Sequence, residues 1–225
     1  MRVRPLSAIL HPDFNEVVVH FTGRAHSSLD ADRRLSQVVE SGQIIASIPY
    51  GNDLGTACFT ESTAAGVSWL VQQRHFAPYG IAFTKPFLFA HGGSPALAIR
   101  GDEWHHVRQL PPSLRARAIR LWPGAAAEEG ETLPHHLQTR SEWLIEREWR
   151  LPADAGSATL SFGPEEIAFL VVPNPDWIRT KVRSHVKAGR RDVGHRFAGL
   201  RWISMSSTGE ITATNGVRVS NGSPY

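Results

Sequence analysis

Hydrophobic positions along the chain fall into short runs, most of them extended in character, with a few stretches of helical spacing between them. The first is Glu16-Val17-Val18-Val19-His20-Phe21, where three β-branched residues between Pro12 and Gly23 predict a buried strand with His20 at its exit. Asp30 then stands where a helix N-cap is wanted, Leu35, Val38 and Val39 follow at helical spacing, and Gly42 supplies a left-handed C-terminal cap. Gln43 to Ile48 reads as a second strand, Pro49 to Gly55 as a loop rich in turn formers, and Ala57-Cys58-Phe59-Thr60 as extended again. Ser62 or Thr63 is the expected cap of a helix running to about Arg74.

Two further strands, Gly80 to Thr84 and Ala96 to Arg100, are expected on either side of a connection, Lys85 to Pro95, hinged at Gly92-Gly93. Asp102 to Trp122 is helical in spacing, and Pro111-Pro112 divides it into two helices because proline removes a backbone donor and clashes with the preceding turn. Gly124 to Pro134 has no apolar periodicity and reads as a flexible surface loop. Strands are expected at Trp143 to Leu151, Ala158 to Phe162, Ile167 to Val172 and Leu200 to Ser204, with a basic helix, Pro175 to Ala188, between the last two. A C-terminal hairpin is expected to turn at Asn215-Gly216. No repeat is present, and the summed pattern is α+β: one domain over residues 1–225, built on an antiparallel or mixed sheet decorated by helices.

Composition narrows this. At 225 residues with 41% hydrophobic and 20% charged, the chain has the apolar content to bury a core without disulfides or a structural metal. Its longest apolar runs fall far short of the roughly 20 residues that span a bilayer, so no membrane association and a cytoplasmic location are expected. The one cysteine, Cys58, fits a reducing compartment, and burial as a small apolar residue is its plainest role. The histidine pairs His105-His106 and His135-His136 are adjacent rather than three or four apart, so no metal is expected.

Three places carry candidate chemistry. In Glu146-Arg147-Glu148-Trp149-Arg150, strand alternation puts Glu146, Glu148 and Arg150 on one face, where two carboxylates beside an arginine separate their proton affinities. A salt-bridged polar face is the other reading of that run. His20 and Thr22 place an imidazole and a hydroxyl at a strand end, suited to a polar ligand or to a structural role. Finally, the basic segment 175–201 carries Arg179, Lys181, Arg183, Lys187, Arg190 and Arg191. Trp177, His185, His195, Phe197 and Trp202 are interleaved, which suits phosphate neutralisation and base stacking or else a solvated face.

The order of Val19-His20-Phe21-Thr22, Cys58-Phe59-Thr60-Glu61, Tyr79-Gly80-Ile81-Ala82-Phe83-Thr84-Lys85, Gly92-Gly93-Ser94-Pro95-Ala96 and Glu146-Arg147-Glu148-Trp149-Arg150 resembles the AbiGi-like abortive-infection proteins of bacteria. More loosely it is similar to the DarT-type ADP-ribosyltransferase toxins. The resemblance spans roughly Val17 to Arg150 and implies a split, mainly antiparallel sheet holding NAD in a cleft as co-substrate. Glu148 is then the catalytic carboxylate and Glu146 its helper, with Arg150 holding both ionised. His20 binds the adenosine or ribose part, Thr22 and Thr60 supply hydroxyl contacts, Tyr79 or Phe83 packs on nicotinamide, and Arg74 neutralises pyrophosphate. The acceptor it implies is intracellular, with nucleic acid favoured by the basic segment, and the role is that of a toxin or phage-defence effector with a cognate antitoxin or toxin as protein partner. Neither the central-strand tyrosine nor the Ser-Thr-Ser run of the main transferase subclasses is present, so an inactive antitoxin or nucleic-acid-binding module of the same fold is the alternative.

Overall fold

The structure, a computed structural model, describes residues 16–49, 53–61, 64–121, 146–153 and 159–217. Twelve strands are found among them: β1 (Val17–Phe21), β2 (Gln43–Ile45), β3 (Thr56–Thr60), β4 (Gly80–Thr84), β5 (Ser94–Pro95), β6 (Leu97–Arg100), β7 (Ala118–Leu121), β8 (Glu148–Pro152), β9 (Thr159–Ser161), β10 (Ile167–Val172), β11 (Trp202–Met205) and β12 (Ile211–Asn215). Between them run helices α1 (Ser28–Ser41), α2 (Ala64–Arg74), α3 (Lys85–Ala90), α4 (Pro112–Arg117), α5 (Trp177–Lys187) and α6 (Arg191–Phe197). Eight strands form one sheet in the order β12-β11-β10-β4-β1-β3-β8-β5, antiparallel except between β10 and β11. The pairs β2-β9 and β6-β7 stand apart as small two-stranded sheets. The α+β expectation, with a mainly antiparallel sheet and helices, holds.

Each face of the sheet carries its own core. Alternation sends Val18 and Ile81 to one side, where Leu35 and Val39 of α1, Leu88 of α3, and Trp177 and Phe197 of α5 and α6 cover them. Val19, Ala82 and Val171 point the other way, under Val67 and Val71 of α2. The cap at Gly42 is as the sequence predicts: its φ of 67° is left-handed and its N–H reaches the Val38 carbonyl. A side chain there would also run into the Phe162 carbonyl, 2.6 Å from where its Cβ would lie. Glycine thus both ends α1 and lets β2 turn beneath it to pair with β9.

Several boundaries differ from the sequence expectation. The connection 85–95 contains α3, which Thr84 caps by accepting from the Phe87 N–H at 3.3 Å, with Pro86 pre-set in the first turn. The stretch after Asp102 is a 3-10 segment, Gly101–Gln109, then α4, and then the unexpected strand β7, which pairs in parallel with β6. β11 and β12 form a hairpin that turns at Ser206 to Gly209, where the Gly209 N–H returns to the Ser206 carbonyl at 3.0 Å with φ at 77°; the second arm of the hairpin expected at Asn215-Gly216 lies outside the described residues. Residues 124–134, expected as a loop, lie outside the described residues.

Candidate active site in the seam between β1 and β3

The sheet has a weak seam. β1 pairs with β4 at five positions and β3 with β8 at five, whereas β1 meets β3 in register only at Val19 and Thr60. Beyond that pair the strands diverge, and His20 crosses the gap, its Nδ1 2.8 Å from the Cys58 carbonyl and able to donate to it as the Nδ1-protonated tautomer. A cavity of about 210 Å³ opens there, lined by His20, Cys58, Thr60, Ile45, Glu146 and Glu148 among others. The expected split into separate sheets is not found: the eight strands form one continuous sheet, and the β1–β3 pairing is a short one within it.

Burial pushes the His20 imidazole below its ordinary value, outweighing the bond to the Cys58 carbonyl that favours its cation. With the folded-state value depressed, stability is complete above the unfolded value near 6.5 and is lost as pH falls below it, because the unfolded chain then takes up a proton that the folded one refuses. Urea denaturation at about pH 7 and about pH 5.5 is expected to show this loss, and a His20→Gln variant to lose part of the difference. An identical pH response in the variant would exclude a buried neutral imidazole.

The two carboxylates reach the cavity by different routes. Glu148 lies in β8 opposite Thr60 and accepts from Arg150, whose Nε is 2.9 Å from Oε1. Arg150 is itself locked, its Nη1 donating to the carbonyls of Ala118 at 2.7 Å and Ala116 at 3.3 Å. The Cys58 thiol is the other neighbour of Glu148; burial first, and then that carboxylate, push the thiol far up, so it stays protonated and is not a nucleophile. Glu146 precedes the strand, because Arg147 adopts a left-handed φ of 44° and ends the alternation that the sequence suggests. Its carboxyl is pushed up by burial and by Glu148, against the pull of Arg74, whose Nη2 lies 3.0 Å from Oε1 as an ion pair, and of Arg24.

Glu61, which the sequence presents only as the last residue of the Cys58 to Glu61 motif, organises this corner. Glu61, just past β3, accepts from Trp149 Nε1 at 2.7 Å and Arg147 Nη2 at 2.9 Å and meets Lys85 Nζ at 2.5 Å. It draws in Arg147 and Trp149 together, and so fixes the approach of Glu146 and Glu148. Only the β3–β8 pairing brings these groups together, and nothing local in the sequence marks it.

The remaining sequence candidates divide. Thr22 lines a second, larger cavity, but its hydroxyl faces the main-chain carbonyls of Ala31 at 2.8 Å and Tyr79 at 3.2 Å. The Thr60 hydroxyl donates to the Glu146 carbonyl. Both hydroxyls donate their proton to backbone, so each has only acceptor capacity left for its cavity. Phe83 is fully buried among Phe59, Phe87 and Phe162, so it offers no face to a ligand. Tyr79, half-buried against the edge of Trp177, lines neither cavity, and neither does Arg74, which is held by Glu146.

The larger cavity, about 720 Å³, shares His20 and Ile45 with the smaller one and is walled by Arg34, Gln37, Gln43 and Val193. Arg34 and Gln37 were missed in the sequence because both read as the solvated side of α1.

In the basic segment, Arg179, Arg183 and Lys187 recur every four residues along the exposed side of α5, and Arg190 and Arg191 continue them into α6. Arg179, Lys181 and Arg190 are paired with Asp176, Asp32 and Glu40, while Arg183, Lys187 and Arg191 have no ion pair among the described residues. Three of the five expected stacking faces are corrected: Trp177, His185 and Phe197 are buried, because the inner sides of α5 and α6 pack on the core, whereas His195 is exposed and Trp202 half-buried. Among the described residues no cluster of three or more His, Cys, Asp or Glu could hold a metal ion, and no helix is long and apolar enough to cross a membrane. No protein-family model, curated protein or solved structure matches the chain.

Proposed function

We propose that the protein is an NAD-dependent ADP-ribosyltransferase whose chemistry occurs in the seam, with nucleic acid as the acceptor. One observation carries the reading: His20 of the first strand and both carboxylates of the Glu146 to Arg150 run line a single cavity between β1 and β3. The non-catalytic alternative requires carboxylates turned to solvent or a filled cleft, whereas the Glu146 and Glu148 side chains are 13% and 10% exposed and border that cavity.

In the reaction the bond between the nicotinamide nitrogen and ribose C1′ breaks, its electron pair leaving with nicotinamide, and positive charge develops on the ribose. A carboxylate fixed beside the ring gains more from that charge than from the neutral ground state. Glu148 supplies it, kept in place by the buried Arg150. The acceptor nucleophile then bonds to C1′ and passes its proton to Glu146, whose proton affinity is raised by burial, as general-base work requires. The exposed stripe Arg179, Arg183, Lys187 and Arg191 would bind the acceptor's phosphates, and the resemblance to abortive-infection proteins makes a toxin or phage-defence effector the corresponding role.

Incubation of the purified chain with NAD, alone and with single-stranded DNA or RNA, is expected to release nicotinamide and to add ADP-ribose to the nucleic acid. A folded protein that releases no nicotinamide under any of these conditions would overturn the proposal.

A further inference from the structure

We infer that Arg34 is the anion-binding residue of the larger cavity and takes a pyrophosphate, so that this cavity receives the adenosine diphosphate half of NAD. The inference rests on the reading of the seam as the site of NAD cleavage. A dinucleotide brings two negative phosphates, and the resemblance to ADP-ribosyltransferases implies Arg74 as their partner. Arg74, however, is engaged with Glu146 and lines neither cavity. Among the described residues Arg34 is the only lysine or arginine that lines either one.

Its position suits the task. Arg34 Nη1 donates to the Thr22 carbonyl at 3.3 Å, two residues beyond His20, so one N–H tethers the guanidinium near the end of β1 and the other donors have no protein partner among the described residues. Arginine's planar fork can then bind phosphate oxygens in pairs. Gln37 and Gln43 offer amide donors and acceptors for the edge of a base, and Ile45 and Val193 offer apolar walls for its faces. Glu40, the one carboxylate on the wall, faces His185 Nε2 and Arg190 Nη1, each at 3.3 Å, so its charge is compensated within the protein. Because the larger cavity meets the smaller at His20 and Ile45, a dinucleotide lying across both leaves nicotinamide and its ribose beside Glu148.

Calorimetric titration with ADP and with adenosine tests this. The wild-type chain is expected to bind ADP, and Arg34→Gln to weaken ADP by about 10- to 100-fold while changing adenosine little, with Arg34→Lys recovering part of the loss. Arg34 is exposed and makes a single backbone contact, so the variant is expected to fold normally. No ADP binding by the wild type, or equal weakening of ADP and adenosine, would overturn the inference. Arg34-dependent ADP binding without nicotinamide release keeps Arg34 as the pyrophosphate-binding residue of this cavity and removes the transferase reading. Nicotinamide release with an unchanged KM for NAD in Arg34→Gln does the reverse.

Discussion

Glu148→Gln is expected to slow nicotinamide release by about 10²- to 10³-fold, the usual effect of removing one fixed group aimed at transition-state charge. Glutamine keeps the shape and can still accept from Arg150 Nε, but it carries no charge to set against the developing ribose cation. Because Arg150 also donates to the carbonyls of Ala116 and Ala118, the neighbouring arginine should stay where it is. The loss should therefore appear in kcat, with NAD binding nearly unchanged, since ground-state contacts are kept. Glu146→Gln is expected to cost less in NAD hydrolysis than in transfer to nucleic acid, because its proton is taken from the acceptor. Turnover within a few-fold of wild type in Glu148→Gln would remove Glu148 from the reaction.

The parts of the fold that were legible in the sequence are those whose cause is local. Three β-branched residues are enough for β1, and Gly42 after an amphipathic run is enough for the end of α1. The run containing Glu148 and Arg150 was legible for the same reason, since alternation holds once β8 begins at Glu148. It fails one residue earlier, where Arg147 turns left-handed. An arginine at positive φ has no signature of its own; it is held there by contacts with Glu61, which is distant in sequence.

The site residues divide in the same way. Thr22 and Thr60 looked like ligand donors because a hydroxyl at a strand end is ambiguous until its acceptor is known. Both turn inward to main-chain carbonyls at places where the backbone leaves regular pairing. Phe83 belongs to the core because pairing with Ile167 to Val172 makes β4 an internal strand, and Phe59, Phe87 and Phe162 surround its ring. In the basic segment the helical period separates the two properties that composition merges: Trp177 and His185 are eight residues apart on the buried side, and Arg179, Arg183 and Lys187 are on the other. Arg34 became a candidate only because β2 folds back beside α1 and turns an exposed helix face into a cavity wall.

Arg150→Met is expected to cause the largest loss of stability, roughly 3–5 kcal/mol, or about 6–20 °C in melting temperature for a chain of this size. The Arg150 side chain is 5% exposed and serves three acceptors at once: the Glu148 carboxylate and the carbonyls of Ala118 and Ala116. Methionine fills much of the same volume, so the cost is that of stranding a buried carboxylate more than that of a cavity. This separates the contributions. In the double variant Arg150→Met with Glu148→Gln the stranded group is neutral, and about half or more of the lost stability should return through the coupling between the two sites. Thermal and urea denaturation of the two single variants and the double variant measures that coupling. A double variant no more stable than Arg150→Met alone would assign the loss to the Ala116 and Ala118 carbonyls, and the Glu148–Arg150 pair would then serve chiefly to hold the carboxylate at the seam.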